Sequence, residues 1–248
     1  MSQNILDNVG AVVLAAGQGK RLNLADTPKV MAMLRGKPMI DYTVETLVKA
    51  GFLPEQICLV VGYQKEKVMD YFGNRVSYAV QEELLGTAHA AYIGMKVLPR
   101  EIKHVLVIGG DDSAFYTAET LQRLVGVHIA HKNTLTLLSV KLAEPPFVGR
   151  VVRHSGGRVE IIEKEYLTDE LRDIHEVSTG AFVFERAWFE DIFPTMPKLR
   201  KLGEYGLPTA LAMAQSARKK YEVLPLTNSD EWRGVNTPEE LAEAERRK

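Results

Sequence analysis

The chain has 248 residues, with 31 basic and 32 acidic side chains and a formal net charge of −1. That balance leaves no basic footprint for nucleic acid or for an acidic membrane surface. The single cysteine, Cys58, excludes a disulfide framework, and its place in the apolar run 57–61 reads as a buried thiol rather than a nucleophile.

Residues 1–8 are polar and carry no basic leader segment. No apolar run reaches the ~18 residues of a membrane span, so a cytoplasmic protein is the default expectation. Residues 9–14 are continuously apolar and β-branched, which suits a strand buried on both faces. The run enters a glycine-rich turn, Gly17-Gln18-Gly19, followed by the cations Arg21 and Lys29. Glycines let backbone N–H groups approach phosphate oxygens, and fixed cations neutralise what those groups leave. An ordinary strand-turn-helix connection is the plainer alternative. Two familiar nucleotide loops are excluded by spacing. A dinucleotide fingerprint needs a third glycine where Leu22 stands, and a Walker A loop needs Ser or Thr after Gly-Lys, where Arg21 and Pro38 stand.

Pro38 opens a helical stretch with Ile40, Val44, Leu47 and Val48 on one face and Gly51 at its end. Residues 56–61 read as a second buried strand, 65–72 as a short helix closed by Gly73-Asn74, and 76–80 as a third strand. A helix over 87–98 stops at Pro99, and a buried strand over 104–108 ends at Gly109-Gly110-Asp111-Asp112. Helix 118–131 and strand 134–140 follow, with His128 and His131 read as a helix surface. This alternation predicts an α/β fold with a doubly wound, mainly parallel sheet, whose ligands bind beyond the carboxyl ends of the strands. Past residue 144 the texture changes to a hairpin over 149–163 with a Ser155-Gly156-Gly157 turn. A strand over 176–184, broken by Gly180, and a terminal amphipathic helix over 238–247 come next. The expected organisation is a single domain over 1–248, whose part past about residue 140 extends the sheet and builds one wall of a cleft.

Asp111 at the end of a buried strand can hold Mg2+, or Asp111 or Asp112 can merely cap the next helix. Gln81 can both donate to and accept from a base edge. Gly86-Thr87 can present N–H groups at a helix start, or be a loop with a Thr cap. Glu163 and Ser178-Thr179-Gly180 suit sugar hydroxyls, although an exposed Glu is often only solvated surface. Asn236 is either a second oxygen ligand or a residue at the start of the last helix. No serine or cysteine stands in a nucleophile arrangement, so covalent catalysis has no candidate.

The ordered set of these segments resembles the sugar-nucleotide pyrophosphorylases, a nucleotidyltransferase family. It is similar in particular to the uridylyltransferase domain of bacterial N-acetylglucosamine-1-phosphate uridylyltransferases. The matching segments are the loop from Leu14 to Arg21, Pro28-Lys29-Val30, Gly36 to Asp41, Gln81 with Leu85 to Ala90, and Gly110-Asp111. They continue with Gly149-Arg150-Val151, Ile162-Glu163, Ser178-Thr179-Gly180, Glu204-Tyr205 and Gly234-Val235-Asn236. The resemblance implies that Leu14, Ala15, Ala16, Gly17 and Gly19 line the nucleotide and that Gln81, Gly86 and Thr87 hold the base. It implies Arg21, Lys29 and Asp111 as catalytic residues, the first two on the phosphates, and Asp111 with Asn236 as ligands of Mg2+. Gly149, Glu163, Ser178 and Thr179 would hold the sugar phosphate, which makes about 1–140 the nucleotide-binding part of the single domain and about 141–248 its sugar-phosphate-binding extension. The implied reaction is transfer from a nucleoside triphosphate, UTP by resemblance, to a sugar 1-phosphate, N-acetylglucosamine 1-phosphate by resemblance. A different pair with dTTP or CTP, or a non-catalytic sugar-nucleotide binder, are the alternatives. Its partners would be these small molecules, without nucleic acid or membrane.

Two positions depart from the family pattern. The family's Gly-Asp-Val-Pro-Leu is here Gly110-Asp111-Asp112-Ser113-Ala114, and its sugar-contacting Asn-Thr-Gly is Ser178-Thr179-Gly180. The family's two-domain members continue into a hexapeptide-repeat acetyltransferase. This chain holds no such repeat, so acetyl transfer is not expected.

Overall fold

A computed structural model describes residues 5–22, 24 and 26–248, and the opening residues read above as leaderless are described only from Ile5. The first strand, β1 (Val9–Ala15), is followed by a two-residue pair, β2 (Met33–Leu34) and β3 (Lys37–Pro38), and by helix α1 (Met39–Ala50). Then come β4 (Ile57–Val61), α2 (Lys65–Phe72), β5 (Ser77–Val80), α3 (Thr87–Val97), β6 (His104–Gly109), α4 (Ala118–Ala130) and β7 (Leu135–Lys141). The later half supplies β8 (Arg150–Arg153), β9 (Val159–Ile162), α5 (Asp169–Arg172), β10 (Glu176–Glu185) and α6 (Arg186–Ile192). It closes with α7 (Pro208–Ser216), β11 (Tyr221–Pro225) and α8 (Pro238–Arg247).

One sheet runs β11-β7-β10-β6-β1-β4-β5. Central strand β1 pairs in parallel with β4 and β6 on either side. Such a strand is covered on both faces, which is why its residues are apolar without alternation. Helices α1, α2 and α4 pack one face, where Ile40, Leu47, Val68, Phe72 and Leu121 join Val9, Ala11 and Val13. Helices α3, α6 and α7 cover the other face around Val12, Val60, Phe182 and Phe184. The sheet is therefore α/β, doubly wound and mainly parallel, as read.

The exception to the parallel rule builds the site. Strand β10 runs antiparallel to both β6 and β7. Its first half therefore lies at the end of the sheet where β1 and β6 finish. It pairs with β6 only from Phe182 onward, so Ser178, Thr179 and Gly180 project past the tip of β6. Gly180 does not break the strand. It sits at φ +79 where the pairing with β7 shifts register between Ser178 and Phe182.

Two further expectations need correction. Val48, placed on the buried face of α1, is 53% exposed, because the helix turns it away from the face that Val44 and Leu47 bury. His128 is not surface but wholly buried beneath α4, held by His104 Nδ1 at 3.1 Å and Thr136 Oγ1 at 3.0 Å. Burial, reinforced by the neighbouring His104, pushes its pKa down to about 3. His131 is exposed and pairs with Glu222.

Candidate active site

The cavity at the carboxyl end of the sheet has two connected parts. One, about 300 Å³, lies over the β1 tip and the start of α3. The other, about 290 Å³, lies between the β6 tip, β10 and the β8–β9 hairpin. Leu14, Thr87 and Asp111 border both.

Lys29 occupies the junction. Its ammonium contacts Asp111 Oδ2 and donates to Asn236 Oδ1 at 2.8 Å. Arg21 donates to the same Asn236 oxygen at 3.1 Å. Residues 207 and more positions apart in sequence thus meet through one cation. The stem of Lys29 lies against Gly19, which has no side chain to obstruct it. Asp111 follows β6 after one residue, Gly110. It does not cap α4, whose first turn is capped by Thr117. Asn236 stands one residue before the cap of α8; Thr237 caps it in a reciprocal box with Glu240, which fixes the loop carrying Asn236.

The first cavity is lined by Leu14, Ala16, Gly17, Gln81, Gly86 and Thr87 among the residues expected at a nucleotide. Gly19 and Arg21 do not line it, although both touch residues that frame the junction. Ala15 is a correction in the role of its side chain. Strand alternation turns that side chain, 1% exposed, into the core beside Ala11 and Val13.

Gln81 is held rather than free. Its Nε2 donates to Gly86 O at 3.2 Å and lies 2.9 Å from His89 Nδ1. Burial lowers the His89 pKa, which keeps that ring neutral and able to accept. The amide oxygen of Gln81 is then the end left to meet a base N–H.

Gly86, not Thr87, is the cap residue of α3. It holds φ +102, and a Cβ there would lie 2.6 Å from Tyr205 O. The segment bearing Glu204 and Tyr205 is stitched onto this turn. Ala88 N–H donates to Tyr205 O at 2.8 Å, and Leu207 N–H to Thr87 Oγ1 at 3.0 Å. One N–H of the helix start is therefore used within the protein.

The second cavity gathers Gly149, Glu163, Ser178 and Thr179, the four residues expected at a sugar phosphate. Glu163 sits between two glycines, with a Cβ on Gly149 or on Gly206 falling 3.6 Å from one of its oxygens. Burial, then the charge of Glu165, raises its pKa. Thr179 reaches the cavity by its backbone, since its hydroxyl donates to Leu138 O at 3.1 Å and its carbonyl accepts from Trp232 Nε1 at 3.0 Å.

Three residues here were not assigned a role from sequence. Arg150 is buried and donates to Val148 O at 2.6 Å and Pro146 O at 3.0 Å, clamping the loop before Gly149. Trp232 walls the cavity. Asp112 lines it too, and its Oδ1 is buried without a hydrogen-bond partner. Burial, then the adjacent Asp111 charge, pushes the Asp112 carboxyl well above the usual carboxylate range. The departure from Gly-Asp-Val-Pro-Leu marked Asp112 in the sequence, and only the fold turned that mark into a wall residue.

Asp111 and Asn236 fit a hard divalent cation. Both direct oxygens at the one ammonium of Lys29, and magnesium prefers oxygen ligands. Among the described residues no group of three or more His, Cys, Asp or Glu is placed to cage a metal. Two protein oxygens, with waters and phosphates completing the shell, is the usual magnesium arrangement.

The sequence pattern of the nucleotidyl transferase family matches residues 10–248, and the chain belongs to that family of enzymes. It is 38% identical over 245 residues to the bifunctional protein GlmU of Symbiobacterium thermophilum, covering 98% of this chain and 51% of that one. The GlmU proteins of Streptococcus agalactiae and Carboxydothermus hydrogenoformans are 33% and 35% identical, over 95% and 93% of this chain and 51% of each relative. The chain thus spans about half the length of the curated relatives it matches. A solved Bacillus anthracis structure, described as a candidate glucose-1-phosphate thymidylyltransferase, shares the fold with a TM-score of 0.78. It covers 96% of this chain and 94% of that one at 20% identity. Among the described residues no helix is long and apolar enough to cross a membrane.

Proposed function

We propose that the protein transfers a nucleotidyl group from a nucleoside triphosphate, with UTP as the donor, to the phosphate of a sugar 1-phosphate, releasing pyrophosphate. The observation that carries this reading is the Lys29 ammonium shared by Asp111 and Asn236 where the two cavities meet. A triphosphate in the first cavity and a sugar phosphate in the second would bring their phosphates together at that cation.

The acceptor phosphate oxygen attacks the α-phosphorus in line, and the bond to pyrophosphate breaks. The attacking oxygen is already ionised, so no general base is needed. Catalysis is then positioning plus charge stabilisation. Lys29 and Arg21 offset the charge that grows on the phosphoryl oxygens and on the leaving group. Gln81 accepts from the base N–H, with its amide orientation held by Gly86 and His89. Glu163 accepts from sugar hydroxyls. Magnesium, held by Asp111 and Asn236, would supply Lewis-acid polarisation of the phosphates. Nucleoside triphosphates as substrates fit a cytoplasmic setting.

The test is pyrophosphate release with Mg2+ across UTP, dTTP, CTP, ATP and GTP against several sugar 1-phosphates, N-acetylglucosamine 1-phosphate among them. Release that needs both a triphosphate and an acceptor supports the reading. Nucleotide binding without release from any pair would replace it with a sugar-nucleotide binder.

A further inference from the structure

The hairpin strand β9 pairs with β8 alone, so its second edge is open. Arg158 O accepts from His154 N–H across the hairpin, whereas Val159 O is turned away and accepts from the side-chain amide of Gln215 on α7. Strand alternation then points the N–H and C=O of Ile161 to that same open edge. A groove of about 570 Å³ runs along this edge, between β9 and α7. It shares Ile161, Glu163 and Pro208 with the second cavity, so it begins where that cavity ends. Gly206 stands beside the passage, where a Cβ would fall 2.8 Å from Leu199 Cδ1 and 3.6 Å from Glu163 Oε1. Past Glu163 the walls are apolar, with half-buried Leu199 and Tyr166 from the loops, and Leu211 and exposed Ala212 from α7. The loop walls are tied down: Lys201 N–H donates to Tyr166 Oη at 2.7 Å, and Leu199 N–H to Glu204 O at 2.8 Å. At the end remote from Glu163 the lining turns polar, with Arg158, Gln215 and Ser216.

An open strand edge offers main-chain hydrogen bonds, and an apolar wall offers burial. An amide followed by a hydrocarbon chain uses both. We propose that this groove takes the tail of the acceptor, a sugar 1-phosphate bearing an amide-linked acyl chain longer than acetyl. The amide passes Glu163 and pairs with the edge groups of Ile161, and the chain lies on Leu199, Leu211 and Ala212. The polar end at Arg158 and Ser216 limits the chain to the length of β9. This inference rests on the nucleotidyl-transfer reading for a sugar phosphate as the ligand.

The experiment has two independent readouts on glucosamine 1-phosphates N-acylated with acetyl, butyryl or hexanoyl. Calorimetric titration of the intact protein without nucleotide measures affinity. Pyrophosphate release with Mg2+ and a saturating triphosphate measures the acceptor KM. The hexanoyl compound is expected to bind about tenfold or more tightly than the acetyl one, since each buried methylene adds several-fold and part of the chain still meets water. Ala212→Trp fills the groove from an exposed helix position. It should remove the gain while leaving the affinity and KM of the acetyl compound unchanged. Leu199→Ala, which thins the wall instead of filling the groove, should cut the gain to about threefold and keeps the test available if the tryptophan variant does not fold. Affinity that is flat or falls from acetyl to hexanoyl, or a gain that survives both variants, would overturn the proposal. Absence of both binding and release across the whole series would do the same. A flat series together with an oligomer that Ala212→Trp dissociates, seen by light scattering, would overturn it in favour of a second copy of the chain on the open edge. The expected rise in affinity with no release from any triphosphate would sink nucleotidyl transfer and leave the groove standing, whereas release with one KM for all three compounds would do the reverse.

Discussion

Replacing Lys29 with methionine should have two effects of opposite sign. The ammonium sits between the two oxygens that fit a divalent cation, contacting Asp111 Oδ2 and Asn236 Oδ1. Without substrate, Lys29 therefore competes with the metal; with substrate, it serves the phosphates. A hydrogen bond to a charged group is worth roughly 1.5–3 kcal/mol. With the Lys29 and Asp111 side chains 12% and 30% exposed, solvent screening reduces this to about 1–2 kcal/mol. Lys29→Met should thus bind Mg2+ in the nucleotide-free protein about 5–30-fold more tightly. Turnover should move the other way. Loss of one preorganised group that stabilises developing charge costs about 10²–10³-fold in kcat. Titration calorimetry with Mg2+ and steady-state pyrophosphate release on the same preparation check both numbers. Mg2+ binding that is unchanged or weaker, or kcat within about twofold of wild type, would refute the shared-oxygen account.

Four further outcomes are expected. Gly86→Ala places a Cβ 2.6 Å from Tyr205 O at φ +102, so the stitched segment must shift; urea unfolding should show a loss of about 1–3 kcal/mol, and triphosphate affinity should fall with it. Arg150→Lys should release the loop that two backbone carbonyls tie down, raising the acceptor KM more than it lowers kcat, as initial-rate kinetics would show. Glu163 has a raised pKa, so its carboxylate is lost at a higher pH than an ordinary one; the acceptor KM should climb with acid from that point, and the climb should vanish in Glu163→Gln. His128 is proton-poor in the folded state, at about 3, against about 6.5 unfolded. The unfolded chain therefore binds more protons as pH falls, and stability present above pH ~6.5 is lost progressively toward the folded value. Between pH 6.5 and 5 the loss is about 2 kcal/mol, and His128→Gln should flatten that slope in denaturant melts.

The parts of the fold that could be read in advance are those with local signals. Strand β1 and strand β4 are unbroken apolar runs because helices cover the sheet on both of its faces. Helix α2 is bounded at Lys65 and Phe72 as read, because Gly73 halts it. What escaped was either short or decided by distant chain. Helix α7 and strand β11 lie between regions of weak periodicity, and β11 earns its place by pairing with β7. His128 carries a polar label that argues for the surface, while its burial depends on His104 and Thr136, residues of two other strands. The turn after β1 was legible as a site element from glycine spacing and two cations, and Gly17 and Lys29 do line the first cavity. The junction was not, because no spacing rule brings Lys29, Asp111 and Asn236 to one point.

The reversal of β10 explains how one end of this sheet carries two cavities rather than one. In a wholly parallel sheet every loop at the carboxyl end returns through a helix, and ligands bind in the crevice between such loops. Here an antiparallel strand arrives at that end from the opposite direction and overshoots β6 by the residues Ser178, Thr179 and Gly180. Its backbone forms a second wall without a covering helix, and β8 pairs with it at Val177 to carry the wall outward to Gly149 and Glu163. The first cavity is thus built mainly from the first half of the chain, with Glu204 from the later half, and β10 with the β8–β9 hairpin walls the second against the β6 tip, with Asp111 at the seam. Residues on the β1 side should then govern the triphosphate and residues on the β10 side the acceptor. That division predicts separable effects: Gln81→Ala should raise the KM for the triphosphate alone and Glu163→Gln the KM for the acceptor alone. Crossed effects in initial-rate kinetics, each variant disturbing both substrates equally, would mean that the two cavities act as one.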